Sequence, residues 1–312
     1  MKQFFRSPVG GSTEAHKQKN IDLSNCLKNL CGFQTCTGQI DWNTIDWNTV
    51  PLNSIAGFEV FYFNDTLHAT HPIFIKIEYG KSASLTTAYN GWSLYVTVGT
   101  TVDGSGNITN VLFPRTCVFD QQFHGTNNET LGVDSNVFLG NYDGSLVSVN
   151  FYPNIVNVFE SNRHVGGYFF IERSRDSNNI PTSDSVIIGY SRRVFNVTTS
   201  SSSTSEFHIV NYSSLSSVIL NSAPINIQIS NAANLQLCDR DFGRIFNCDG
   251  VMSPNTSINL WHPISIKGCG TFSVGGGAKI KINNIDYICA GYSGGGTGHG
   301  GSRFNTALVL YE

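Results

Sequence analysis

The sequence predicts an all-β protein in which antiparallel sheets form a sandwich or jelly-roll-like fold, with a short N-terminal helix and arm. Three observations support this prediction. Apolar and polar residues alternate over several segments, as they do in half-buried strands. Turn-forming residues separate these segments without helical crossovers, which favours antiparallel pairing. Only 13% of the 312 residues are charged, whereas coiled coils and helical repeats are rich in Glu, Lys and Arg.

The N-terminal segment, residues 1–54, is predicted to be an arm that carries the helix. Residues 14–30 place apolar side chains at loosely helical spacing, and Cys31-Gly32 follows as a stop signal. No other segment of the chain has a comparable helical pattern.

A tandem of two pentapeptides follows the predicted helix. DWNTI occupies residues 41–45 and DWNTV occupies residues 46–50. Two copies are too few for a repeat architecture. The two tryptophans, Trp42 and Trp47, fit an arm that packs on a neighbouring subunit, and they fit packing within the chain equally well.

From about residue 55 the hydrophobic pattern has a period of two, which predicts strands. The clearest alternating segments are residues 73–79, 92–98, 147–151 and 225–229. Hairpin turns are predicted at residues 103–107, Asp143-Gly144 and Asn283-Asn284.

The Ser/Thr-rich run near residue 200 is predicted to divide the strands into two domains. Residues 199–205 would form a linker or a long loop between a β domain over 55–198 and a second β domain over 206–312.

The charge balance excludes several classes of function. The formal net charge is −3, so the chain lacks the basic surface that a nucleic-acid partner requires. No apolar stretch approaches the roughly 18 residues of a membrane span, and the N-terminus lacks the apolar region of a signal peptide. We therefore expect no membrane insertion and synthesis in the cytoplasm.

The eight cysteines form no C-x-x-C pair, so zinc-ribbon and thioredoxin motifs are absent. Cys26, Cys31 and Cys36 are spaced five residues apart, but no second half-site matches them, and buried free thiols are the preferred interpretation. His68 and His71 are a weak metal candidate, because odd spacing on a strand sends side chains to opposite faces. We expect no metal and no cofactor.

Acid–base chemistry has one candidate segment, Asp239-Arg240-Asp241, with Asp249 nearby. Paired carboxylates could hydrolyse a glycan, one as acid and the other as base or nucleophile. An Asp-x-Asp segment around an arginine is more often a salt bridge in a loop. We therefore expect no catalytic residue, and a glycan-degrading enzyme that uses Asp239 and Asp241 remains an alternative.

Two further groups of residues are candidates for recognition. A lysine-free stretch contains five arginines, which suit either a subunit interface or a solvated strand face: Arg163, Arg173, Arg175, Arg192 and Arg193. The glycine-rich segment 291–301 is either a mobile loop without a role or a recognition loop that uses Tyr292 and His299.

Several segments resemble parts of tailed-bacteriophage structural proteins. They are GWSLYVTVGT at 91–100 followed by DGSGN at 103–107, YFFIERSRD at 168–176 with the Pro181-Thr182 turn, and TALVLYE at 306–312. The resemblance covers about half of residues 90–312 and consists of similar strand and turn sequences without a diagnostic motif.

The resemblance implies a non-enzymatic virion protein of the tail, neck, baseplate or fibre apparatus that assembles as a homo-oligomer with other virion proteins. It would be made in the host cytoplasm and reside in the virion. A host-surface glycan or protein is a further expected partner, for a role in host attachment. A capsid decoration protein is the second alternative to a tail component.

Overall fold

The computed structural model describes residues 1–6, 13–83, 90–121, 134–154, 167–176, 178–195, 201–221, 235–237, 244–246, 266–269, 279–282, 284–290 and 306–310. These residues form one α-helix and eighteen strands in three antiparallel sheets. The predicted all-β, sandwich-like fold class is confirmed.

In chain order the elements are β1 (Lys2–Arg6), α1 (Thr13–Leu30), β2 (Gly32–Gln34), β3 (Ser54–Tyr62), β4 (Phe74–Ala83), β5 (Asn90–Val102), β6 (Ile108–Gln121), β7 (Asp134–Gly140), β8 (Leu146–Asn154), β9 (Gly167–Arg175), β10 (Pro181–Phe195), β11 (Ser201–Asn211), β12 (Ser217–Asn221), β13 (Leu235–Leu237), β14 (Arg244–Phe246), β15 (Ile266–Cys269), β16 (Lys279–Ile282), β17 (Ile285–Ala290) and β18 (Thr306–Leu310). The sheet orders are β1-β7-β8-β9-β10-β11-β12, β2-β3-β4-β5-β6 and β13-β14-β15-β18-β17-β16.

The seven-stranded and five-stranded sheets share one apolar core. The Phe119 ring of one sheet lies 4.1 Å from the Phe151 ring of the other, measured between centroids. Residues of the alternating segments fill this core, and none of the following is more than 1% exposed: Ile75, Ile77, Leu94, Val96, Val98, Val147, Val149 and Phe151. In these three segments the period-two pattern therefore identified the inner faces, whereas the fourth predicted segment, 225–229, lies outside the described residues.

The described residues of the N-terminal segment, 1–6 and 13–54, are built into the sandwich rather than forming a separate arm. β1 pairs with β7, and β2 pairs with β3, so each sheet gains an edge strand from this segment. α1 lies against β1 and β7 of one sheet and β2 and β3 of the other, with Leu23 and Leu27 fully buried. No helix among the described residues is both long and apolar enough to cross a membrane.

The seven-stranded sheet includes residues 201–205, which belong to the predicted linker. Residues 201–205 begin β11, which pairs with β10 from Ser201 opposite Phe195 to Asn211 opposite Ser185. β12 then extends the same sheet to residue 221. Small hydroxyl side chains are compatible with a strand when a long neighbouring strand supplies the hydrogen-bonding ladder.

The third sheet lies outside the seven-stranded sheet. β17 and β18 lie against β8, and Lys2 Nζ forms an ion pair with Asp286 Oδ2 at 3.1 Å. On the outer face of the seven-stranded sheet, Ser148 and Phe170 are fully buried. The seven-stranded sheet is therefore a middle layer.

The tip of the β5–β6 hairpin covers part of the outer face of the five-stranded sheet. A side chain at Gly106 would collide with the Phe58 ring, and the Thr37 amide donates to the Gly104 carbonyl at 2.7 Å. Lys76 Nζ lies 4.1 Å from the centroid of the same Phe58 ring. This part of the face is occupied by the chain itself.

Candidate functional site

Four loops meet at one end of the sandwich, and we call this region the loop end. It comprises the β3–β4 connection, residues 63–73, and the turns at 141–145, 176–180 and 212–216. Ser177 lies outside the described residues. Because loops on a rigid sandwich carry recognition sites in many proteins, the loop end is the candidate functional surface of this chain.

Arg175, at the end of β9, connects two turns of the loop end, 141–145 and 176–180. Its Nε donates to Glu172 Oε1 at 3.0 Å. Its Nη1 donates to Asp143 Oδ2 at 2.8 Å and to the Asn179 carbonyl at 3.0 Å. Its Nη2 donates to Asp143 Oδ1 at 3.0 Å and to Ser145 Oγ at 2.6 Å. All five guanidinium N–H groups thus have acceptors.

The surroundings of Arg175 favour its charged form. Burial opposes the charge, but the hydrogen bonds and the negative charges of Asp143 and Glu172 raise the pKa of Arg175 above its ordinary value. The Arg175 and Glu172 side chains are both 0% exposed. This is a buried ion pair that needs both partners, because either charge alone would be desolvated without compensation.

Arg173 joins the two sheets of the sandwich. It lies on β9 and forms an ion pair with Asp65 of the β3–β4 connection, where the two side chains are 1% and 2% exposed. Its Nη2 also donates to the His71 carbonyl at 2.6 Å. Arg173 therefore ties a loop of the five-stranded sheet to a strand of the seven-stranded sheet.

The remaining loops are fixed by hydrogen bonds of their own. Asp176 Oδ1 accepts the backbone N–H groups of Asn178 and Ile180, each at 2.9 Å. The Tyr212 hydroxyl donates to the Pro72 carbonyl at 3.1 Å and so links the 212–216 turn to the β3–β4 connection. Such bonds restrict the motion of these loops within the chain itself.

Gly144 occupies a position at the loop end that other residues cannot adopt easily. Its φ is +80°, and an added Cβ would lie 2.5 Å from the Asn64 carbonyl oxygen. This close approach explains why the predicted Asp143-Gly144 turn needs glycine at its second position.

Substituting Gly144→Ala is expected to lower the free energy of unfolding by about 1–3 kcal/mol, because it combines left-handed backbone strain with a backbone clash. Chemical denaturation monitored by circular dichroism measures the change. Gly104→Ala is the matched control, since a Cβ at Gly104 meets no atom within 4 Å. Equal effects of the two substitutions would contradict the prediction.

The loop end exposes two aliphatic side chains. Ile180 is 58% exposed and Leu215 is 37% exposed. The four loops contain three aspartates and neither lysine nor arginine. Neither aliphatic residue belongs to an alternating or helical pattern, so no sequence signal pointed to them.

The structure brings together some of the predicted site residues and leaves others outside the described part. Arg173 and Arg175 are buried within the chain, which is neither of the two environments that the sequence suggested. Arg192 and Arg193 lie on β10, and their side chains are not described. The following candidates lie outside the described residues: Arg163, Asp239, Asp241, Asp249, Tyr292 and His299.

Trp42 and Trp47 pack within the chain. The two pentapeptides form the same turn, in which the aspartate Oδ1 accepts the N–H of the asparagine two residues later, Asn43 at 3.0 Å and Asn48 at 2.9 Å. Trp47 is nevertheless 0% exposed, whereas Trp42 is only partly buried, with its ring 4.9 Å from the Tyr79 ring. Internal packing is thus the alternative that the structure shows for both rings.

A second buried polar cluster lies beneath α1 and was not found from the sequence. Glu59 accepts hydrogen bonds from Ser24 Oγ at 2.9 Å and from the Tyr79 hydroxyl at 2.6 Å. Lys28 Nζ lies 2.6 Å from Glu59 Oε1. Burial, and then the charge of Glu59, raises the pKa of Tyr79 well above its ordinary value. The cluster fastens the helix to β3 and β4 and is closed to solvent at Glu59.

Lys81 of β4 binds the second pentapeptide through backbone carbonyls. Its Nζ donates to the Trp47 and Val50 carbonyls, both at 3.1 Å. Burial lowers the pKa of Lys81, although the charge of Asp46 acts in the opposite direction. Backbone carbonyls thus take the place of water around the ammonium group.

The N-terminal cysteines are buried thiols. Burial, with a smaller effect from Asp22, raises the pKa of Cys26 to about 11. Burial also raises the pKa of Cys31 to about 12. Within the described part of the chain, no group of three or more His, Cys, Asp or Glu side chains is arranged to hold a metal ion.

Cys26 and Cys31 are expected to react with iodoacetamide at pH 8 much more slowly than the partly exposed Cys117. The thiolate is the reactive species, and the raised pKa values leave little of it at this pH. Peptide mapping by mass spectrometry of briefly labelled native protein measures each site. Labelling in denaturant is the control, and equally fast native labelling of all three would contradict the prediction.

No protein-family model matches this sequence, and no curated protein matches it either.

Proposed function

We propose that this chain is a structural component of a tailed-bacteriophage particle, in the tail, neck, baseplate or fibre apparatus. It acts by assembling with copies of itself and with other virion proteins, and it catalyses no reaction. The three segments that resemble phage structural proteins support this proposal, and the strands β5, β9 and β18 contain much of them. Its location is then the virion.

The observation that carries the proposal is the rigid loop end, which exposes aliphatic side chains. The adjacent Arg173 and Arg175 of β9 are buried in ion pairs, and the aliphatic side chains of Ile180 and Leu215 are exposed. A surface of this kind loses little conformational entropy on contact, and its exposed aliphatic side chains gain apolar burial. Both properties suit a lasting contact between subunits.

The proposal is tested by mass spectrometry of density-gradient-purified particles. We expect peptides of this chain at a constant ratio to the major capsid protein through successive purification steps. A copy number that follows the symmetry of the tail supports the tail assignment, whereas one that follows the number of capsid subunits indicates a decoration protein. Absence of the chain from intact particles would overturn the proposal.

A further inference from the structure

We infer that Leu215 and Ile180 anchor a second, different protein of the particle, whose surface combines an apolar recess with lysine or arginine side chains. This inference rests on the proposed function and specifies the surface through which the chain joins the particle. Four features of the loop end carry it: backbone strain, exposure, charge and rigidity.

Leu215 adopts a backbone conformation that is unfavourable for leucine. Its φ is +56°, in the left-handed region where glycine and asparagine are the usual residues. Asp143 and Asn179 have similar φ values of +51° and +66°, but their short polar side chains suit that region. A leucine has no such compensation, so local backbone geometry does not explain the choice of residue.

Burial does not explain Leu215 either. The side chain is 37% exposed and lies outside the apolar core of the sandwich. A strained and exposed aliphatic residue fits a contact made with another molecule. Ile180, at the tip of the β9–β10 turn, is 58% exposed and offers a second branched side chain at the same end.

The charge of the loop end indicates the chemistry of the partner. The loops contribute Asp65, Asp143 and Asp176, and the adjoining strands add Glu172 and Asp184. Arg173, Arg175 and the N-terminal ammonium of Met1, which donates to the Asn141 carbonyl at 2.6 Å, balance part of these five carboxylates, which leaves a formal charge of −2 with histidine neutral. Two copies meeting through this surface would place like charges together, whereas a basic partner would complement it.

The rigidity of the loop end makes it suitable for binding without rearrangement. Arg173 and Arg175 connect three of the four loops, and Tyr212 connects the fourth to the β3–β4 connection. The loops are thus ordered when the chain folds, so binding costs little further conformational entropy, which favours affinity.

The test exploits the strain at Leu215. Leu215→Gly removes the side chain and relieves the backbone, so the melting temperature of the purified protein should rise or stay unchanged. Supplied from a plasmid to a phage that lacks the gene, this variant should enter particles at least about tenfold less than wild type. Ile180→Ser should show the same loss of incorporation without a change in melting temperature. Incorporation is measured by quantitative mass spectrometry against the major capsid protein.

Leu52→Gly is the matched control, because Leu52 is 46% exposed in a different turn with an ordinary φ. This substitution should not raise the melting temperature, and incorporation should equal that of wild type. Sedimentation velocity at rising concentration should show the same degree of self-association for wild type and for Leu215→Gly.

Each result has a defined meaning. Wild-type incorporation with normal entry of both loop-end variants would overturn this inference and leave the proposed function intact. Normal entry combined with lost adsorption would also overturn it, because the surface would then recognise the host. Self-association that depends on Leu215 would identify a second copy as the occupant instead. Absence of the wild-type chain from particles would overturn the proposed function together with the inference.

Discussion

Replacing Arg175 with methionine is expected to lower the free energy of unfolding by about 3–5 kcal/mol. Methionine fills most of the arginine volume but leaves Glu172, which is 0% exposed, without its cation. It also leaves Asp143, Ser145 and the Asn179 carbonyl without their common donor. Urea denaturation monitored by tryptophan fluorescence measures the loss.

Two further variants separate the buried pair from a general effect of losing an arginine. Arg115→Met removes an exposed arginine that pairs with Glu78, and we expect a loss of about 1 kcal/mol. The double variant Arg175→Met with Glu172→Met should be less destabilised than Arg175→Met alone, because both buried charges are gone. A double variant as unstable as the sum of the two single variants would show that the buried pair does not account for the effect.

Replacing Trp47 with alanine is expected to cost about 3–5 kcal/mol, as for other large aromatic residues removed from a core. Trp47 is 0% exposed and belongs to the apolar core, so its removal opens a cavity there. The indole Nε1 has no hydrogen-bond partner, so the side chain contributes through its volume. Trp47→Phe should therefore recover a large part of the lost stability. Thermal and urea denaturation measure both variants.

Trp42→Ala is the natural control, because the tandem pentapeptide places Trp42 in the same local turn. Trp42 is only partly buried, so we expect a loss nearer 1 kcal/mol. If Trp42→Ala and Trp47→Ala lower the free energy of unfolding equally, burial does not determine how much each tryptophan contributes to stability.

Local patterns predicted the strands and several of their turns. Alternation from Ile73 to Tyr79 identified an inner face because each residue of a strand has only two directions available. The Asp103–Asn107 segment identified a hairpin because the Asp103 carboxylate accepts the amides of the residues that follow it. These signals depend on neighbours within a few positions of the chain.

The environment of charged residues could not be predicted in the same way. Arg173 contacts Asp65, which is 108 residues away, and nothing near either residue in the sequence reveals the other. The pentapeptides show the same limit. Identical DWNT sequences produce the same turn, but only the surrounding strands decide that Trp47 is buried and Trp42 is not.

The long-range ion pair of Arg173 also has a consequence for when the loop end forms during folding. Closing a loop of this length is costly in entropy until the two sheets have docked. The arrangement of the β3–β4 connection beside the other loops thus exists only in a chain that has completed its fold. A chain that has not completed its fold presents no loop end, so a contact made through this surface would select folded protein over misfolded protein.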